Sequence, residues 1–154
     1  MNETSIQPAQ PEDAATLSRI AIESKAHWGY DAAFMALCRD ELTITAADIA
    51  RYPTFALREN ATILGFYLLV PREAGVIELD YLYLLPAAIG RGYGRRLFDH
   101  AVRTARAAGY NTMHIQSDPN AAEFYRRMGA TLAGSAPSGS IPGRTLPTFY
   151  LNLR

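Results

Sequence analysis

The chain is poor in several things, and each shortage excludes something. Its 154 residues include one cysteine, Cys38. No disulfide framework can form within it, and a reducing, cytoplasmic setting is expected. Lys25 is the only lysine, so the Gly-Lys-Ser/Thr core of a phosphate-binding P-loop is missing. Formal net charge is zero, so no overall field draws the chain to nucleic acid or to a membrane surface. No uninterrupted apolar run approaches the length of a membrane-spanning helix. The first residues are polar and contain no apolar signal core. There are no internal repeats, and no metal site is predicted.

Apolar residues make up 49% of the chain, enough for one well-buried core. The length is that of a single domain, and residues 1–154 are read as one unit. Thr4 to Gln7 is a short candidate edge strand. Pro11 opens a helix whose inward stripe is Ala14, Leu17, Ile20, Ala21 and Ser24. That pattern breaks at His27-Trp28-Gly29-Tyr30, either an aromatic cap on the core or part of a substrate wall. Asp31 caps a second helix, 32–40, which carries Cys38 as a buried small residue. A short helical turn at 45–52 stops before Pro53. Strands at 54–58 and 63–70 form a hairpin about Glu59-Asn60-Ala61. A third strand runs from Val76 to Leu84.

Glu78 and Asp80 lie two apart on that third strand and therefore share a face. Two acids there are costly unless the face is wet or paired. They are either salt-bridged surface groups or a general base at the open side of a sheet. Beyond this strand, Gly90, Gly92 and Gly94 form a loop that opens directly into a helix, 95–108, with stripe residues Leu97, Ala101, Ala105 and Ala108. Phe98 and Val102 widen that stripe. Such a loop bares consecutive N–H groups at the positive end of a helix, a setting that suits a phosphate or pyrophosphate. It could also be a turn that merely starts a helix. Arg91, Arg95 and Arg96 flank it. The spacing is not the dinucleotide G-x-G-x-x-G, although a nucleotide such as NAD or ATP in the same loop is a competing reading.

A strand at 110–116 closes a strand–helix–strand crossover. Asn120 is expected to cap a helix at 121–128, with Glu123 completing the cap. Strands are expected at 131–133 and 148–153. The Gly-, Ser- and Pro-rich stretch 134–147 between them reads as a mobile loop or as a lid.

Pro86 to Leu97 resembles the acetyl-CoA motif of the GCN5-related N-acetyltransferases. Gly92 and Gly94 fill its two glycine positions, and Ile89 stands where that family has Gln or Arg. Asn120 to Gly129 resembles the family's second signature at Asn120, Phe124, Tyr125 and Gly129, with the middle alanine shifted by one and Ala130 replacing an aromatic residue. Two such motifs about 30 residues apart are far more specific than either alone, and the likeness extends nearly end to end.

The resemblance implies an α/β fold with helices on both faces of a mixed, mostly antiparallel sheet of six or seven strands. One parallel pair in that sheet should be splayed. It implies acetyl-CoA as co-substrate, held by main-chain groups of Leu82, Tyr83 and Leu84 and by Ile89, Gly90, Arg91, Gly92, Tyr93, Gly94, Arg95, Asn120 and Tyr125. Tyr125 is the implied acid for the leaving thiolate. Glu78, or else Asp80, is the implied base. Trp28, Tyr30, Tyr81 and Arg144, with Tyr52 beside them, form the expected acceptor wall for a small-molecule or peptide amine. A homodimer is common in the family. A non-catalytic acyl-CoA-binding module with the same fold is the alternative.

Overall fold

A computed structural model describes residues 3–154. Seven strands form one sheet: β1 (Thr4–Pro8), β2 (Thr54–Glu59), β3 (Thr62–Pro71), β4 (Val76–Leu84), β5 (Thr112–Gln116), β6 (Thr131–Pro137) and β7 (Thr145–Asn152). Their spatial order is β1-β2-β3-β4-β5-β7-β6. Every neighbouring pair is antiparallel except β4 and β5. This is the mixed sheet expected from the sequence.

Five helices cover the two faces. Helices α1 (Ala14–Ala26), α2 (Ala32–Cys38) and α3 (Ala46–Arg51) share one face, where Leu17, Ile20, Cys38, Leu42, Ile49, Phe66 and Leu68 are buried together. Helices α4 (Tyr93–Ala107) and α5 (Ala122–Arg127) share the other. There Leu97, Phe98, Ala101 and Ala105 pack on Leu57, Tyr67, Leu69, Ile77 and Met113. The apolar stripes read from α1 and α4 are the buried ones, although Ala108 at the end of the second stripe is exposed. Asp31 caps α2 as expected, accepting from the Phe34 N–H at 2.8 Å. Among the described residues, no helix is long and apolar enough to cross a membrane.

Two expectations need correction. Half of the stretch 134–147 is strand. β6 and β7 form a hairpin in which Gly134 to Pro137 pair with Thr148 to Thr145, leaving only 138–144 as the connecting loop. Gly, Ser and Pro hid the strand because each has low strand propensity, yet the pairing on β7 overrides that preference. The second correction concerns Asn120, which does not cap α5. Asp118 instead caps a single 3-10 turn, Pro119–Ala121, by accepting from the Asn120 N–H at 2.8 Å, and α5 starts behind it with no side-chain cap.

The middle of the sheet is packed backbone against side chain. A Cβ at Gly65 on β3 would stand 2.4 Å from Leu84 Cδ2 and 2.8 Å from the Tyr83 carbonyl oxygen. Glycine there lets β3 and β4 lie close beneath Leu97. Gly65→Ala should therefore destabilise the fold by about 1–3 kcal/mol through overpacking. Urea denaturation of the two proteins checks this, with a lower midpoint expected for the variant.

Candidate active site

The site begins where β4 and β5 separate. Only Val76, Ile77 and Glu78 pair with β5, opposite Thr112, Met113 and His114. β4 then continues for six more residues without that neighbour. On its other side it stays paired with β3 as far as Leu84. The Leu85 N–H donates to the Leu64 carbonyl at 2.8 Å. Groups on an antiparallel strand point alternately to either side. Leu84 and Leu82 therefore turn their N–H groups away from β3, into the gap.

A β-bulge marks the start of the divergence. Leu69 pairs with Leu79 and Leu68 with Tyr81, so Asp80 is the extra residue. A bulge bends its strand and sharpens the twist. It also shifts the alternation. Ile77 and Leu79 pack toward α4, and so do Leu82 and Leu84, while Tyr81 and Tyr83 pack toward α1 and α2. Strict alternation from the sequence would have placed Leu82 and Leu84 with the two acids. The bulge replaces them with tyrosines.

The glycine loop lies at the far end of the gap. Gly90 and Gly92 have φ of 86° and 82°, a left-handed conformation that glycine adopts without cost and other residues rarely do. Gly92 is the N-cap of α4. Among the described residues, the N–H groups of Gly90, Arg91, Gly92, Tyr93, Gly94 and Arg95 have no hydrogen-bond acceptor. Six unpaired donors in sequence at a helix start form an anion cradle. The Ile89 N–H is spent on the Pro86 carbonyl at 3.2 Å, so the cradle begins one residue later than the predicted binding stretch. Gly94 serves packing as well, since a Cβ there would meet Phe124 at 3.4 Å and Leu84 at 3.6 Å. Of the flanking arginines, Arg91 pairs with Glu59 and lies over the Tyr93 ring, and Arg96 reaches the Thr4 hydroxyl. Arg95 has no such partner among the described residues.

A cavity of about 410 Å³ opens beside the gap on the α1–α2 side, and Glu78, Asp80, Tyr81 and Tyr83 line it. Its two strand carboxylates differ sharply. Burial alone would raise the Glu78 pKa, but hydrogen bonds from Arg72 (2.5 Å) and His114 (3.0 Å) outweigh burial and hold it below the usual value. Asp80 is pushed up to about 6, first by the surrounding protein, which partly desolvates its carboxyl, and then by the charge of Glu78. Its surface is exposed to the cavity rather than shielded by packing. Asp80 thus titrates close to neutrality, where a proton acceptor is most useful.

Tyr125 stands on the opposite side of the sheet, packed against Phe98, Phe124 and Phe149. It is 7% exposed, its hydroxyl has no hydrogen-bond partner among the described residues, and burial raises its pKa. The Tyr83 phenol is raised by burial first and then, to a lesser degree, by the charge of Tyr125.

The predicted acceptor wall divides. Tyr81 lines the cavity and donates to the Glu41 carbonyl at 2.7 Å. Tyr30 and Arg144 are drawn instead into a network centred on Asp118. Tyr30 donates to Asp118 at 2.9 Å and accepts from Arg144 at 2.8 Å and from Asn120 at 3.0 Å. Arg144 also lies 4.8 Å over the Phe34 ring. The Asn120 side chain is therefore committed to Tyr30 and Asp118. Trp28 is 44% exposed, has His27 as its ring neighbour and does not line the cavity. Asp118 and Lys25, 3.4 Å apart, line the cavity and were missed in the sequence. Nothing in the local pattern singles them out, because 93 residues separate them in the chain.

The family model of the Acetyltransferase (GNAT) family matches residues 20–130. The chain belongs to that family. Solved structures share the fold over nearly all of this chain. PaiA N-acetyltransferase of Thermoplasma acidophilum, in complex with coenzyme A, is 19% identical with a TM-score of 0.79, covering 97% of this chain and 99% of that one. A GCN5-related N-acetyltransferase of Rhodopseudomonas palustris is 24% identical at a TM-score of 0.79, covering 99% and 97%. YncA of Salmonella typhimurium, with its cofactor acetyl-CoA, is 22% identical at a TM-score of 0.72, covering 99% and 95%. No curated protein matches the sequence.

The Asp80 shift has a consequence for stability. Its folded pKa lies above the unfolded value of 3.8. Folded protein therefore keeps this proton where unfolded chain has lost it. Stability falls as pH rises from about 4 to about 6, and the full cost is present above 6. Asp80→Asn should melt higher than the parent at pH 7, and the gap should close by pH 4. Thermal melts across that range check the sign.

Proposed function

We propose that the protein transfers an acetyl group from acetyl-CoA to a primary amine by direct attack, without a covalent enzyme intermediate. One observation carries this reading: six unpaired N–H groups at residues 90–95 stand at the end of a gap whose β4 edge is open. An anion cradle and an extended open strand edge together match a diphosphate with a long amide-bearing tail. The cradle takes the diphosphate. The edge at Leu82 and Leu84 pairs with the amides of the pantetheine arm, as an added strand would. Bound in this way, the co-substrate supplies the activated acetyl thioester.

The chain's own groups account for the rest. An alkyl amine of pKa about 10.4 is neutral less than one time in a thousand at pH 7. Asp80 takes its proton, directly or through a water, and the freed lone pair forms the C–N bond. The Leu84 N–H, directed into the gap, stabilises the carbonyl oxygen as negative charge builds on it. Tyr125 donates its proton to the sulfur as the C–S bond breaks, so the thiol leaves neutral, and the second proton, shed by the acylated nitrogen as the amide forms, restores the phenol through water. Glu78, fixed by Arg72 and His114, stays ionised and acts on Asp80 through its charge. It is the weaker candidate for the base.

Gly92→Glu introduces a side chain and a negative charge into the cradle at a residue with positive φ. Calorimetry should show acetyl-CoA affinity reduced at least about a hundredfold, the scale of two lost charge-assisted hydrogen bonds. Unchanged affinity would contradict the loop assignment, as would thermal stabilisation of the parent by NAD or ATP and none by acetyl-CoA. Tyr125→Phe should lower kcat by about a hundredfold while acetyl-CoA affinity holds within a factor of a few. Thiol release measured beside binding separates the two effects. Binding with no thiol release from any amine would favour a non-catalytic acyl-CoA module.

A further inference from the structure

The transfer reaction leaves one buried hydroxyl unused. Tyr67 on β3 is the largest fully buried side chain among the described residues. Phenylalanine would fill nearly the same space with no polar group to satisfy. The Tyr67 hydroxyl lies 2.7 Å from His100 Nδ1 and 2.9 Å from Thr104 Oγ1, both on α4. Thr104 donates its own hydrogen to the His100 carbonyl at 2.9 Å. It therefore accepts from Tyr67, and the Tyr67 oxygen accepts from the His100 Nδ1–H. The Phe55 ring, with its centroid 4.8 Å away, braces the imidazole from β2. A bond at one ring nitrogen fixes what the other can do. Here it leaves His100 Nε2 with a lone pair and no partner among the described residues.

The fixed ring borders a second pocket, of about 300 Å³, on the β1 side of α4. Ile6 of β1 is one wall, and Arg96, Asp99 and Arg103 complete the lining. Arg96, His100 and Arg103 stand at i, i+4 and i+7, which is one stripe of the helix. Like charges a turn or two apart on a helix repel. Nothing nearby offsets them. Arg96 reaches the neutral Thr4 hydroxyl and lies 5.8 Å from the centroid of the Tyr93 ring. Neither arginine forms an ion pair among the described residues, not even with Asp99, the exposed acid of the lining. Burial first, and then the Arg103 charge, lower the His100 pKa, so the ring of the free protein is neutral near pH 7.

We infer that Arg96, His100 and Arg103 form a phosphate-binding site on α4, separate from the glycine-loop cradle. Three donors around one space suit a group with three acceptor oxygens, which a phosphate has and a carboxylate lacks. The two guanidinium groups each take phosphate oxygens. His100 Nε2 accepts the P–O–H of the monoanion or, protonated from solvent, donates to the dianion. The Nδ1–H stays on Tyr67 in both cases. β1 is the sheet edge three strands from β4, so this pocket faces away from the β4–β5 gap. The inference does not rest on the acetyltransferase reading.

The chain has three histidines, so nitrogen NMR of the imidazoles reads the site by residue. Inorganic phosphate and glycerol 3-phosphate are titrated separately into the protein at neutral pH and constant ionic strength. The His100 ring nitrogens should shift saturably with a Kd of about 1 mM or below, while His27 and His114 stay in place. Equal affinities would mean that the site reads the phosphate group alone, and tighter binding of the ester that it reads the organic part too. Arg96→Gln with Arg103→Gln changes two exposed residues, so it should fold normally and weaken binding at least about tenfold. Tyr67→Phe preserves the core volume and should lower the share of the Nδ1–H tautomer of His100, with a several-fold loss of affinity. A response without saturation, one shared equally by His27, a Kd unmoved by the double variant, or a tautomer unmoved by Tyr67→Phe would overturn the inference. Saturating acetyl-CoA should leave the His100 response intact; its loss would assign these residues to the co-substrate and overturn the separate site. If acetyl-CoA does not bind at all, the acetyltransferase reading fails, and the phosphate titration still judges this site.

Discussion

Three residue pairs hold β4 and β5 together, and the proposed transfer reaction follows from the separation after the third. A parallel pair that stays zipped would satisfy the backbone of Leu82 and Leu84 and leave no open edge. The separation has identifiable causes on both strands. On β4, the bulge at Asp80 comes two residues after the last pair and turns the strand. On the other side, β5 follows β7 through Gln116, and the Ser117 N–H then donates to the Pro147 carbonyl at 2.9 Å. Each strand is thus held by its own antiparallel partner. An unpaired edge inside a sheet is a cost that folding alone gives no reason to carry, so the gap points to a ligand that completes it.

The same bulge sets the electrostatics. It carries Asp80 into the cavity beside Glu78, and two carboxylates so placed cannot ionise with equal ease. Arg72 and His114 settle which one keeps its charge by bonding Glu78. Asp80 is left with the raised pKa. One irregularity in one strand therefore opens the sheet edge, exchanges leucines for tyrosines in the cavity wall and separates the roles of two acids.

Much of this was legible in the sequence, and the failures have physical reasons. The glycine loop was readable because a strong helical stripe follows at once, and the second motif about 30 residues on, rather than the glycine spacing, narrowed its use. The pairing of Glu78 and Asp80 on one face was readable from period two. The bulge was not, because it depends on β3 skipping a partner, which no local pattern on β4 encodes. The acceptor wall divides where long-range contacts decide. Tyr30 and Arg144 are attractive binding residues in isolation, yet Asp118, far from both in the chain, engages both. Asn120 was misread for a local reason: Asp118, two residues earlier, is the cap, and it caps a 3-10 turn that precedes the helix. The acidity of the cavity was equally hidden, because its carboxylates come from separate segments and only the fold assembles them.

The most direct test of the account is backbone hydrogen exchange, followed residue by residue with and without acetyl-CoA. The account predicts new protection at Gly90 to Arg95 and at Leu82 and Leu84, with little change on β1 and β2. Acetyl-CoA binding that leaves those amides exchanging as before would contradict it.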